Sequence, residues 1–234
     1  MNANKPDSPY QIHALELGPM ENFIYLITDT ATSRAAVVDP AWDTDAIFKL
    51  AEQKGVNITD IILTHCHHDH INKVSDVLEH TDAQIHLSKA EYEFWDLDYI
   101  NPSLHHGGDT IKLGNTDIEV LFTPGHSAGS ACYKINNDLI TGDTMFVFGC
   151  GHCKLPGNDP ETLFHTLQKL KKLPGETVIH PGHNYAHKHT STIAEQCEGN
   201  PFLHFDEVDK FVDYRVNIHD KVRSDPYDPV PREG

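Results

Sequence analysis

The chain has no apolar run near the roughly 20 residues that cross a bilayer as a helix, so no helical membrane span is expected. It is poor in positive charge: 18 Lys and Arg stand against 35 Asp and Glu, a formal net charge of −17. A field of that sign repels a phosphate backbone, which removes nucleic acid from the expected partners. The five cysteines, Cys66, Cys132, Cys150, Cys153 and Cys197, are odd in number and lack the spacing of a secreted scaffold, so no disulfide framework is expected. Residues 1–9 lack the apolar core of a signal peptide and read as a short disordered lead, and the expected location is cytoplasmic. What the 234 residues do have is 38% apolar content and 18 histidines. The first allows a sizeable core without covalent staples.

Residues 10–17, 22–28 and 34–39 read as three strands of an antiparallel meander, punctuated by Gly18-Pro19 and Asp29-Thr30. A helix is expected over 43–54, with Ile47, Phe48 and Leu50 inward and Gly55 as its stop. A strand over 59–63 and an amphipathic helix beginning at Ile71 follow. Residues 84–87 read as a strand, and 88–95 as a helix in which Ser88 and Glu91 form a capping box. A loop is expected over 101–108, then strand pairs over 110–113 with 117–122 and over 130–135 with 138–141. A helix over 160–172, a strand over 177–180 and a mostly helical stretch over 186–221 complete the chain. Strands then helix, twice over and without detectable sequence repetition, predicts two packed β-sheets with helices outside.

The stretch Thr64-His65-Cys66-His67-His68-Asp69-His70 follows the apolar run Thr59-Asp60-Ile61-Ile62-Leu63 and precedes the helix at Ile71. It therefore places four candidate ligands on a strand-to-helix turn. His65 and His67, two apart in extended chain, project to one side, while Asp69 and His70 can serve a second point nearby. Imidazole with carboxylate is the ligand set of zinc, iron or manganese. Three later segments repeat the placement: Thr123-Pro124-Gly125-His126, Leu139-Ile140-Thr141-Gly142-Asp143, and Val178-Ile179-His180-Pro181-Gly182-His183. Ligands at several strand ends can meet along one edge of the sheets, and a carboxylate at Asp143 can bridge two cations.

In these motifs the chain resembles the metallo-β-lactamase-fold hydrolases, and among them the glyoxalase II (hydroxyacylglutathione hydrolase) branch. The pattern His-x-His-x-Asp-His is met by His65, His67, Asp69 and His70, and the later His, Asp and His by His126, Asp143 and His183. The resemblance covers residues 10–185 and implies a four-layer αββα sandwich of the α+β class, with 186–234 as a short, mostly helical C-terminal extension. It implies that His65, His67 and His126 hold one metal, that Asp69, His70 and His183 hold another, and that Asp143 and a hydroxide bridge them. Two divalent metal ions are thus the expected cofactor, zinc first, with iron or manganese as alternatives. Asp69 and Asp143 are the catalytic candidates, and Asp39 is expected behind the ligands. His68, His180 and Cys66 read as spacers. Tyr185 matches the family's substrate-contacting Tyr. His152 and Lys154 stand where the family loop has Lys and Tyr, and are the further candidate substrate contacts.

Water held between two divalent ions ionises near pH 7. A thiolate, with a conjugate-acid pKa of about 8–9, then leaves a tetrahedral centre without a proton donor. The expected activity is hydrolysis of a small-molecule thioester of the hydroxyacylglutathione type. The alternatives are a mononuclear iron persulfide dioxygenase using His65, His126 and Asp143, and a lactone or β-lactam hydrolase. No membrane partner is expected, and oligomeric state is open. Lys154, Lys210, Arg215, Lys221 and Arg223 are the cations that could meet a substrate carboxylate. Cys150-Gly151-His152-Cys153 has the form of a disulfide-isomerase motif but lies in a Gly- and Pro-rich loop, so redox use is not expected. His105-His106 and His187-Lys188-His189 are expected to be exposed, and Trp42 and Trp95 to pack or to cover.

Overall fold

A computed structural model describes residues 8–232; the disordered lead expected over 1–9 lies, up to residue 7, outside the described residues. The first half of the chain builds one sheet from β1 (Tyr10–Leu17), β2 (Asn22–Asp29), β3 (Arg34–Val38), β4 (Asn57–Ile62), β5 (Gln84–Ser88) and β6 (Ser103–His105), hydrogen-bonded in that order. The pairs among β1, β2 and β3 are antiparallel, and the rest are parallel. The second half builds the other sheet from β7 (Thr110–Leu113), β8 (Thr116–Phe122), β9 (Ala131–Ile135), β10 (Asp138–Gly142), β11 (Val178–Pro181) and β12 (Ser191–Thr192), again in chain order. Only β10 with β11 is parallel there.

The period-2 alternation of strands assigns each side chain to a layer. In β2, Phe23, Tyr25 and Ile27 join Ile111, Val120 and Tyr133 between the sheets, whereas Ile24 and Leu26 face outward. The outward set packs under α1 (Thr44–Lys54), α3 (Val74–His80) and α4 (Lys89–Phe94), through residues such as Ile47, Ala51, Val74 and Val77. Both faces of β2 are buried, which is why its sequence reads as a nearly unbroken apolar run. On the far side, Leu139 and Ile179 of the second sheet meet Leu163 and Leu167 of α5 (Pro160–Leu170). Phe202, Leu203, Phe211 and Tyr227 from the C-terminal stretch enter the same cluster. That stretch holds α6 (Ile193–Gly199), α7 (Val208–Asp213) and α8 (His219–Val222), with a π-helical turn at Tyr214–Ile218. The layers are α, β, β, α, as the metallo-β-lactamase resemblance implies.

Local departures from the sequence reading have tertiary causes. The helix expected from Ile71 is two: α2 (His68–Ile71) comes first and α3 restarts at Val74. Between them Asn72 Oδ1 accepts from Trp42 N–H at 2.8 Å, and Lys73 N–H donates to Pro40 O at 3.1 Å. The loop expected over 101–108 contributes β6, a three-residue strand paired to β5. His105 is accordingly half-buried rather than exposed, its Nε2 lying 3.0 Å from His86 Nδ1.

Two tyrosines tie the sheets together at consequential points. Tyr25 donates to Pro181 O and Tyr133 donates to Leu63 O, each at 2.7 Å. Pro181 and Leu63 end the strand runs from which the chain departs toward His183 and His65. Each hydroxyl therefore clamps, from the opposite sheet, the backbone from which a candidate ligand springs. Tyr133→Phe should lower the unfolding free energy of chelator-treated protein in urea by about 1–3 kcal/mol, because Leu63 O is left buried without a donor; unchanged stability would show that the clamp carries no weight.

Candidate metal centre

Four strand ends converge at one edge of the sandwich. β4 leads to His65 and His67, β8 to His126, β10 to Asp143 and β11 to His183, while the first turn of α2 supplies Asp69 and His70. His67 Nδ1 lies 3.0 Å from His126 Nε2, and His70 Nε2 lies 3.2 Å from His183 Nε2. One ligand atom from each of His65, His67 and His126 falls within 4.8 Å of the others, and the same holds for Asp69, His70 and His183. Asp143 stands between the groups: its Oδ1 is 3.4 Å from both His70 Nε2 and His183 Nε2, and its Oδ2 is 3.4 Å from His126 Nε2. Asp69 Oδ2 is 3.3 Å from His70 Nε2 and 3.4 Å from His183 Nε2. All seven expected ligand positions are thus brought together.

Hydrogen bonds on the far side of the rings set which nitrogens carry protons. His126 Nδ1 faces His152 O at 2.9 Å, His183 Nδ1 faces Met20 O at 2.8 Å, and His70 Nδ1 faces Asp39 Oδ2 at 3.1 Å. Each of these oxygens can only accept, so Nδ1 is protonated and Nε2 is the nitrogen turned inward, where a neutral ring offers a lone pair. His70 Nε2 and His183 Nε2 face each other at 3.2 Å, and both also face the Asp69 and Asp143 carboxylates, so the space between them suits a proton or a cation. His65 Nε2 and Asp143 Oδ1 are buried without a hydrogen-bond partner. Buried acceptors left unpaired cost free energy, and these nitrogen and oxygen atoms are of the kind that zinc, iron or manganese accept, so a divalent cation would satisfy them. Asp39 could join His65 and His70 by proximity. Its oxygens, however, already accept from Thr64 N at 2.7 Å, Thr64 Oγ1 at 2.5 Å and His70 Nδ1, which places it behind the ligands.

The electrostatics have the same sense. Burial pushes His65 well below its usual range, His126 down to about 3, and His67 downward as well. Burial opposes the charge of Asp143, yet His183, His70 and His126 hold it well below the usual carboxylate range. Asp69 is held low against burial by His70 and Asn22. His70 is the exception: burial disfavours its cation, but Asp143, Asp39 and Asp69 outweigh that and raise it well above an ordinary imidazole. A proton on His70 would therefore compete with a metal there.

Several contributors have no signature in the sequence. Asn22, at the head of β2, donates from Nδ2 to Asp69 Oδ2 at 2.9 Å and accepts from Trp42 Nε1 at 2.8 Å. The backbone carbonyls of Met20 and His152 orient ligand rings. Gly151 permits the second of these contacts, since a Cβ there would overlap His126 Nδ1.

A cavity of about 930 Å³ opens over this floor, and His152, Lys154, Tyr185, Arg215 and Arg223 are among its walls. The Tyr185 ring stacks on His183 at 4.7 Å and 9°. The His152 ring lies parallel to His67 at 6.1 Å, and its Nδ1 is buried without a partner. Lys154 and the buried Arg215 both pair with Asp220. Lys210 pairs with Glu207 instead, and neither it nor Lys221 lines the cavity. Burial pushes the Cys150 thiol up strongly and that of Cys153 to about 12, so both stay protonated and unsuited to redox attack.

Comparison with known proteins accords with this geometry. Residues 17–183 match the sequence model of the metallo-beta-lactamase superfamily. The chain is 31% identical over 218 residues to BaeB, a probable polyketide biosynthesis zinc-dependent hydrolase of Bacillus velezensis, covering 92% of this chain and 97% of that one. It is 33% identical over 188 residues to a hydroxyacylglutathione hydrolase of Fuscovulum blasticum, covering 78% and 70% respectively. The crystal structure of ETHE1 from Myxococcus xanthus superposes with a TM-score of 0.82 at 27% identity, covering 89% of this chain and 91% of that one. With the family's span running from β1 to the last of the clustered histidines, and relatives matching along most of their length, the chain belongs to the metallo-beta-lactamase superfamily.

Proposed function

We propose that this chain is a metal-dependent thioester hydrolase that works through two divalent ions, zinc first with iron or manganese as alternatives. Its proposed substrates are of the hydroxyacylglutathione type. The observation that carries the reading is the convergence of two sets of inward-turned ring nitrogens, with Asp143 turning one oxygen to each. In this reading His65, His67 and His126 hold one ion, Asp69, His70 and His183 the other, and Asp143 bridges. The names of the two relatives support it from different sides, one zinc-dependent and one a hydroxyacylglutathione hydrolase.

When bound, such ions supply Lewis acidity and lower the pKa of a coordinated water to about 7. The chain's own residues do the remainder. Asn22 fixes the Asp69 carboxylate at the cavity floor, where it can accept the nucleophile's proton. His152 Nδ1, buried and otherwise unpaired, hydrogen-bonds the substrate beside His67. The Tyr185 phenol, pushed up by burial, stays protonated and serves as a donor. Lys154, Arg215 and Arg223 line the cavity, the first two paired with Asp220, and these cations suit the carboxylates of a glutathione-like thiol. The departing thiolate needs no proton donor, which matches a site with none dedicated to that task.

The second reading, a mononuclear iron persulfide dioxygenase, would use His65, His126 and Asp143 alone. It gives no role to the convergence of Asp69, His70 and His183. Elemental analysis of purified protein, run beside thioester, lactone, β-lactam and persulfide assays, separates the readings. The expected result is two metal equivalents per chain and thioester turnover that a chelator abolishes and added metal restores. One iron per chain with oxygen uptake on glutathione persulfide would overturn the proposal, as would ring opening of lactones or β-lactams without thioester turnover. Asp143→Ala should lower kcat/KM more than about 100-fold together with metal content, a larger loss than removal of a supporting partner gives; full metal occupancy would contradict the bridging role. Asn22→Ala should weaken metal retention about 10–100-fold in a chelator competition, and unaltered retention would show that Asp69 needs no such anchor.

A further inference from the structure

Glu91 is a buried carboxylate with no cation beside it. It lies in α4, and its sequence position three residues after Ser88 reads as half of a capping box. Ser88 Oγ does accept from Glu91 N–H at 3.1 Å. The Glu91 side chain turns away from its own helix. Its Oε1 accepts from Cys66 N–H at 2.8 Å and from Trp95 Nε1 at 2.8 Å; its Oε2 accepts from Ser127 Oγ at 2.8 Å and from Gly129 N–H at 2.7 Å. Four donors satisfy a charge that is only 1% exposed, which is how a buried carboxylate is tolerated without an ion pair.

What those donors belong to is informative. Cys66 is the residue between His65 and His67. Ser127 and Gly129 are in the turn that follows His126. Trp95 lines the cavity, and its ring stands edge-on to His67 at 6.0 Å. The turn is fitted closely to the helix: Ser88 Oγ donates to Gly129 O, and a Cβ at Gly129 would overlap the Glu91 backbone nitrogen. One carboxylate thus joins the two loops, from opposite sheets, that present all three histidines of one group. It touches none of Asp69, His70 or His183.

We infer that Glu91 is a positioning residue for the three-histidine half of the metal centre: it holds the His65–His67 loop and the His126 loop at the mutual spacing that a cation requires. This inference rests on the two-metal reading above. It predicts an asymmetry, because the half built from Asp69, His70 and His183 takes its positioning from Asn22, Asp39 and Met20 O instead.

The test reads metal affinity rather than turnover. Glu91→Gln offers an amide in place of one acceptor oxygen, and Ser127→Ala removes a single donor and is the milder change. Each is placed in a His183→Ala background, which leaves the three-histidine half, and in a His126→Ala background, which leaves the other. Zinc affinity is measured by chelator competition, and the visible spectrum is recorded after loading with cobalt(II). The expected result is a loss of about 10–100-fold in the first background, with a shifted cobalt spectrum, and less than about 3-fold change in the second. Equal losses in both backgrounds, or a lowered melting temperature of the metal-free protein with both affinities intact, would overturn the inference and leave Glu91 a packing residue. Should the parent chain bind no metal, the two-metal reading itself fails, and that outcome is distinct from the others.

Discussion

Two imidazole nitrogens within hydrogen-bond distance of each other, both facing a pair of carboxylates, form an arrangement that only a proton or a cation between them reconciles. His70 and His183 are held this way because Asp39 and the Met20 carbonyl claim the Nδ1 protons on the outer side of each ring. His126 is treated alike by the His152 carbonyl. The ring nitrogens turned inward, together with the Asp143 and Asp69 carboxylates, form two concave sets of potential metal-binding atoms. In the two-metal reading, the rest of the site follows from satisfying those atoms with cations.

The scaffold meets that demand by division of labour. Each sheet carries some of the ligands at the ends of its strands, so the site exists only if the two sheets are locked in register across the core. Tyr25 and Tyr133 provide locks at the roots of the ligand loops, and Glu91 provides one at their tips. Rigid strand ends present the ligands. The cavity above them is walled largely by loops and by the C-terminal helices, which supply Arg215, Asp220 and Arg223.

The layered fold was legible because apolar runs bounded by turn signals mark most of the strands, and because β2 is apolar enough to be buried on both faces. The candidate ligand positions were legible because each follows such a strand within a few residues, so local sequence fixes their placement. What escaped was set by distance in the chain. Asn22 is 47 residues from the Asp69 it orients, and a lone Asn beside a turn has no pattern to betray it. Glu91 carried a local signal, the capping box, that tertiary donors overrode. β6 is three residues long, too short for periodicity to register, and the break between α2 and α3 comes from bonds to Pro40 and Trp42 that only folding brings near. The substrate wall is legible only in part, since Lys210 and Lys221 looked equivalent to Arg215 in sequence and are not so in space.

The central claim is that these seven side chains close around two cations. The most direct measurement is anomalous diffraction from crystals of the protein as purified, collected on either side of the zinc, iron and manganese edges. The account predicts two peaks about 3.5–4 Å apart, one against His65, His67 and His126, the other against Asp69, His70 and His183, with Asp143 reaching both. A single peak beside His65, His126 and Asp143, or none at the edge of the sandwich, would contradict it.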